Sequence, residues 1–126
     1  MSKKIIKTDK APAAIGPYSQ GVVTGNLLFT SGQLPIDPVT GKLVDGTIDD
    51  KARMAFKNLE AIAEAAGTNF SKAIKTTVFL ADINNFKAVN GVYAQYFKEP
   101  FPARSAFQVG ALPLGADIEV EAIFEL

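Results

Sequence analysis

Two arginines stand among eleven lysines in this 126-residue chain, at positions 53 and 104. Arg104 follows the rigid approach Pro100-Phe101-Pro102-Ala103, at the mouth of an expected strand. A planar guanidinium held there can take a small carboxylate in two parallel hydrogen bonds, which an ammonium cannot do. It can equally pair with a neighbouring acid and hold the sheet, and spacing alone leaves both readings open. Arg53 falls inside an amphipathic helical pattern and reads as a solvated surface residue. Glu119 is the second candidate. A half-buried carboxylate, its pKa raised by desolvation, can hold a water for attack on a bound carbon. Glu119 alternates with Glu121, however, and both can simply face water. Tyr18 follows Gly16-Pro17 and has a hydroxyl for a ligand or for a structural partner. Ser31-Gly32 closes a strand, where a glycine lets backbone N–H groups come close to an anion. Asn90 lies on the apolar side of a helical pattern and needs a partner there. Singly, none of these residues names a function.

Absences exclude more. The chain has no Cys and no His. Disulfides, thiolate nucleophiles, zinc-thiolate sites and the usual base of Ser or Cys hydrolases are therefore excluded. A carboxylate-only Mg or Ca site is formally open, but no EF-hand loop supports one, so no metal is expected. Lys+Arg and Asp+Glu are 13 each, a net charge of zero that argues against a nucleic-acid partner. No run of 18 apolar residues predicts a membrane span, and the first residues lack the apolar stretch of a signal peptide. A cytoplasmic protein with no membrane partner is the expectation. With 48% hydrophobic and 21% charged residues, the composition is that of a soluble globular chain, and the length suits one domain over residues 1–126.

The elements that would position these residues follow from periodicity. Residues 3–7 predict a short strand, and residues 9–17, broken by two Pro and a Gly, a loop. Residues 18–24 and 26–31 predict a hairpin turning at Gly25-Asn26. Residues 34–46 predict a loop with a small hairpin near Pro38-Val39-Thr40-Gly41. Thr47 is placed to cap a helix whose apolar positions run from Ala52 to Ala66, with Gly67 as its stop. Residues 73–81 predict a strand. A second helix, capped by Asp82 or Asn85, carries the stripe Ile83, Phe86, Val89, Tyr93 and Phe97. Strands follow at 104–109 and 118–124, the last with Ile118, Val120, Ala122 and Phe124 on one face. The order is that of an α+β protein, a mixed and mostly antiparallel sheet with two helices on one face. The other face lacks a cover in this sequence, and another subunit is the simplest one.

Together, Ile15-Gly16-Pro17-Tyr18-Ser19-Gln20, Phe29-Thr30-Ser31-Gly32-Gln33, Pro102-Ala103-Arg104-Ser105 and Ile118-Glu119-Val120-Glu121-Ala122 are far more specific. In order and spacing, the chain resembles the reactive intermediate deaminase A family (RidA, YjgF) over nearly its whole length. The resemblance implies a chorismate-mutase-like fold and a homotrimer whose sheets form a central barrel with helices outside. It implies ligand sites in the clefts between subunits. It also implies a reaction without a cofactor. Short enamines and imines such as 2-aminoacrylate and 2-iminobutanoate, released by pyridoxal-phosphate dehydratases, are hydrolysed to 2-keto acids and ammonia.

By the same resemblance Arg104 binds the substrate carboxylate and Glu119 positions the attacking water. Tyr18, the Ser31-Gly32 backbone and Asn90 complete the pocket. Many relatives carry Cys where this chain has Ala106, so thiol-dependent behaviour is not expected here. Phe107 and Phe124 are candidates for a bulkier pocket or core. The competing readings are a non-catalytic trimer that binds a small keto or amino acid, and a ribonuclease, against which the neutral charge speaks.

Overall fold

Thr47 opens the first helix, α1 (Ile48–Ala65), by a reciprocal capping box. The Asp50 N–H donates to Thr47 Oγ1, and Asp50 Oδ2 accepts from the Thr47 N–H, both at 3.2 Å. Ala52, Ala55, Phe56, Leu59, Ile62 and Ala63 form its buried stripe. Gly67 ends it at φ +83°, a backbone that favours glycine. The second helix, α2 (Phe86–Tyr96), is preceded by a short helical turn at Ile83–Asn85. Asp82 caps that turn, accepting from the Asn84 N–H at 2.9 Å, and Asn85 makes no side-chain cap. Val89, Val92, Tyr93 and Phe97 are buried, whereas Ile83, expected in the stripe, is exposed on the preceding turn. The structure, a computed structural model, describes residues 2–126.

Six strands form one sheet: β1 (Lys4–Ile6), β2 (Gly21–Thr24), β3 (Leu27–Thr30), β4 (Ala73–Leu80), β5 (Ala103–Gln108) and β6 (Ile118–Glu125). Their spatial order is β1-β2-β3-β6-β4-β5. Every pairing is antiparallel except β4 with β5, which α2 joins as a crossover. The sheet is thus mixed and mostly antiparallel, with both helices packed in one core on one face. Gly25 turns the β2–β3 hairpin at φ +59°. The loop at 34–46 closes its small hairpin through the Ile36–Leu43 bridge.

The first three strands are shorter than the sequence predicts, β2 by the most. The expected strand at 18–24 begins only at Gly21. Gln20 is buried, and its side-chain amide binds the preceding loop: Oε1 accepts from the Thr8 N–H at 2.7 Å, and Nε2 donates to the Pro12 carbonyl at 2.7 Å. Residues 18–20 therefore stay with that loop instead of joining the ladder.

The sheet's two faces differ in character. Val78, Leu80, Ile118, Val120, Ala122 and Phe124 point into the core under the helices. There Phe124 stacks on Phe70, and Phe70 stacks on Phe97 with centroids 4.6 Å apart. The opposite face carries Phe29, Phe79, Phe107, Ile123, Glu119 and Glu121, by strand alternation and register. Phe29 and Phe107 are 41% and 44% exposed there. Phe124 is therefore core and Phe107 belongs to the open face.

Candidate active site

β6 brings Glu119 up on the open face, opposite Phe79 of β4. Just past the end of β3, the segment at Ser31–Gln33 crosses beside it. An isolated antiparallel bridge fixes the crossing: the Gln33 N–H donates to the Val120 carbonyl at 2.7 Å, and the Val120 N–H returns to the Gln33 carbonyl at 3.0 Å. As a result the Glu119 carboxyl lies against the Cα of Gly32. A Cβ added at Gly32 would stand 2.7 Å from Glu119 Cδ and 2.8 Å from Oε2. The absence of a side chain at Gly32 is what lets the Glu119 carboxyl take this position, which a strand-ending dipeptide alone does not reveal.

Ser31 is engaged elsewhere. Its hydroxyl donates to the Ser19 carbonyl and its N–H to the Gln20 carbonyl at 2.9 Å, which ties the Tyr18 loop to the end of β3. The Gly32 N–H has no partner among the described residues, so of the two backbone donors this is the free one. Tyr18, half exposed, reaches the same cleft, as do Ser31, Gly32, Gln33 and Glu119. The cleft measures about 620 Å³, and its remaining walls are apolar, from Pro12, Ala13, Ile15, Leu34, Ile36, Pro113 and Leu114. Burial raises the pKa of Glu119 above the usual 4.5, and the nearby Glu121 carboxylate raises it further. That shift makes it a stronger base than an ordinary surface glutamate.

Arg104 and Asn90 lie elsewhere. β5 pairs with β4 so that Arg104 stands beside Thr76, whose side chain is buried on the helix side. Arg104 thus leaves the sheet on the face opposite Glu119, at the edge strand. Its Nη1 donates to Asn90 Oδ1 at 2.7 Å. Its guanidinium lies over the Tyr93 ring, 4.7 Å from the centroid, and 5.4 Å from that of Phe86. The Tyr93 hydroxyl is itself fixed to that of Thr76 at 2.8 Å. A second cleft of about 400 Å³, lined by Asn90, Tyr93, Ala94, Phe101, Pro102 and Arg104, opens over this group.

No carboxylate pairs with Arg104 among the described residues; the ion pairs found join Lys51 to Asp117 and Arg53 to Asp50. The alternative in which Arg104 holds the sheet through an acid is therefore not the arrangement present. Arg53 is the surface residue its helical position predicts. Ala106 packs partly buried against the core, two residues along β5 from Arg104 and on the same face of the sheet.

The structure thus sorts the six candidates into two groups. Tyr18, Ser31, Gly32 and Glu119 share one cleft; Asn90 and Arg104 share another. Sequence reasoning missed the aromatic seat of Arg104. Its signal was present, because Phe86, Asn90 and Tyr93 are spaced four and three apart, one face of a helix. It also missed Gln33, whose buried position beside Gly32 has no local signature.

The family described as Endoribonuclease L-PSP matches residues 8–126. The chain is 52% identical over 121 residues to 2-iminobutanoate/2-iminopropanoate deaminase of Homo sapiens, across 96% of this chain and 88% of that protein. It is 48% identical over 126 residues to the chloroplastic Reactive Intermediate Deaminase A of Arabidopsis thaliana, across 100% of this chain and 67% of that one. Among solved structures, E. coli TdcF with bound serine superposes with a TM-score of 0.92 at 46% identity, covering 98% of both chains.

Proposed function

The chain belongs to the Endoribonuclease L-PSP family, which includes the RidA deaminases, and from that premise we propose that it hydrolyses short 2-imino acids and their enamine tautomers to 2-keto acids and ammonia. The observation that carries the reading is Arg104. It is seated by Asn90 and two aromatic rings, yet has no acid partner among the described residues. A guanidinium fixed in that way is a preorganised receptor for a small external carboxylate.

The chemistry needs one base and good positioning. Glu119 takes a proton from a water as that water's oxygen bonds to the imine carbon and the C=N pair moves to nitrogen. The proton passes to nitrogen, and the carbinolamine so formed loses ammonia to leave the ketone. An imine carbon is already electrophilic, so positioning and a single carboxylate suffice without a cofactor. The unpartnered Gly32 N–H and the Tyr18 hydroxyl are the donors available at the same cleft.

Arg104 and Glu119 leave opposite faces of one sheet, so a single chain does not close this site on itself. The same reading therefore has Arg104 of one subunit meet the Glu119 cleft of the next, in a homotrimer whose barrel covers the Phe29 and Phe107 face. Light scattering should give about 40 kDa, three times the 13.4 kDa chain. Nucleic acid and membrane have no part in the proposal. A trimer that only holds its ligand is the competing reading, favoured by TdcF with bound serine.

One experiment tests catalysis and assembly together. A threonine dehydratase generates 2-iminobutanoate, semicarbazide competes for it, and Arg104→Ala, Glu119→Gln and their coexpressed mixture are compared with wild type. Each variant alone should lose all but a small residual activity. Random mixed trimers should recover about a quarter of wild-type activity, because one site in four then pairs an intact Arg104 with an intact Glu119 from its neighbour. No recovery would place the site within one chain. Wild type that removes no imine yet binds 2-ketobutanoate, with that binding lost in Arg104→Ala and kept in Glu119→Gln, would favour the ligand-holding trimer.

A further inference from the structure

Resting on the deaminase reading, we propose that Ile15 and Leu114 are specificity-determining lips of the Glu119 cleft, which read the length of the substrate's apolar side chain. Both line that cleft, and both are strongly exposed, Ile15 at 88% and Leu114 at 70%. A single exposed apolar residue needs no explanation. Two on the rim of one cleft, beside the base, call for one.

Leu114 is also the one described non-glycine residue with positive φ, at φ +61° and ψ +12°. Branched side chains rarely adopt that backbone, and such outliers cluster where function requires them. The turn around it is tightly held. Pro113 leads into it, the Gly115 N–H donates to the Leu112 carbonyl and the Ala116 N–H to the Pro113 carbonyl, both at 3.1 Å. Ile15 is presented in a similar way, before Gly16 at φ +118°, where the Tyr18 N–H turns back to the Gly16 carbonyl at 2.9 Å. Two fixed turns therefore hold two apolar side chains out over the cleft.

At about 620 Å³ the cleft falls in the range that holds ligands far larger than a four-carbon acid. With the carboxylate on Arg104 and the imine carbon at Glu119, the side chain is the part of the substrate left to meet apolar walls. Those walls continue from the lips through Leu34 and Ile36.

The test is a chain-length series. An amino-acid oxidase produces 2-iminopropanoate, 2-iminobutanoate and 2-iminopentanoate in situ from alanine, 2-aminobutanoate and norvaline, with semicarbazide competing. For wild type, kcat/KM should rise about two- to fourfold for each added methylene, the upper value being that of full burial. Ile15→Ser and Leu114→Asn should each flatten that slope, and the double variant should abolish it. Asparagine tolerates the left-handed backbone, so the turn at 114 is kept. Val39→Ser, which removes an apolar residue 93% exposed and outside this cleft, should leave the slope as in wild type.

A slope unchanged in the double variant overturns the proposal while leaving the deaminase reading intact. So does a flattened slope that comes only with a smaller particle by light scattering, which would make the two residues subunit contacts. Wild type that is inactive on the whole series sinks the deaminase reading and this inference with it.

Discussion

Gly32→Ala isolates the position of Glu119, the proposed base, from its chemistry. Carbon atoms in contact rest about 3.5–4.0 Å apart. The new Cβ would stand 2.7 Å from Glu119 Cδ and 3.0 Å from Cγ, so the carboxyl must retreat by about 1 Å. The backbone is no obstacle, because Gly32 is outside the left-handed region and alanine can adopt its conformation. The clash is with the far end of a flexible side chain on an open sheet face. Its cost to stability is then an off-rotamer glutamate, about 1 kcal/mol, or a few degrees in Tm. Its cost to catalysis is larger. A misplacement of about 1 Å at a reacting group loses about 10²-fold in rate, near 2.7 kcal/mol of barrier.

The coupled imine assay, run beside thermal melts and light scattering, separates these two costs. Gly32→Ala should melt within a few degrees of wild type, keep its particle size and lose about 10²-fold in kcat/KM. Gly32→Ala/Glu119→Gln should be hardly slower than Glu119→Gln alone, because the methyl group then displaces a group that no longer acts. Activity of Gly32→Ala within twofold of wild type would refute the reasoning, showing that the contact between Gly32 and Glu119 does not set the position of the base.

Arg104→Lys keeps the charge but not the two-pronged donor geometry, and should lower kcat/KM by about 10- to 100-fold in the same assay. Asn90→Ala removes the 2.7 Å bond to Arg104 while leaving the Tyr93 and Phe86 seat. It should raise KM about tenfold with little change in kcat, because it acts on Arg104 and not on the reacting atoms. The acid limb of kcat/KM should lie above pH 4.5, since burial and Glu121 both raise the pKa of Glu119, and Glu121→Gln should move the limb to lower pH. A carboxyl whose pKa is raised on folding loses stability as pH rises from its unfolded value through its folded one. Glu119→Gln should therefore melt higher than wild type at neutral pH, with the gain vanishing below about pH 4.5.

The helices were legible in the sequence because their signals are local. Thr47 and Asp50 cap α1 from three residues apart, and its buried stripe is a spacing of three and four. The alternation in β6 likewise put Ile118, Val120, Ala122 and Phe124 on one face, and that face is the core. It could not separate Glu119 from Glu121, which share a face. What separates them is a crossing from far along the chain, Gly32 lying on Glu119 while Gln33 bridges to Val120. Residues 18–20 failed as a strand for a similar reason: the partners of Gln20 lie at Thr8 and Pro12, and no propensity records them.

The deepest gap is one of parity. Arg104 and Glu119 can be recognised as a pair from their motifs, but not placed on opposite faces, because that depends on the register of β5 against β4. Thr76 opposite Arg104 puts the guanidinium on the helix side, while Phe79 opposite Glu119 puts the carboxylate on the open side. A slip of one residue between β4 and β5 would carry Arg104 to the face of Glu119 and remove the reason for a second chain. The register is held by Tyr93, which bonds the Thr76 hydroxyl and lies under the Arg104 guanidinium, and by Asn90 one turn before it. One face of α2 thus does two things at once. It seats the Arg104 guanidinium that the proposal uses as carboxylate receptor, and it fixes the strand register that turns this guanidinium away from Glu119 of its own chain.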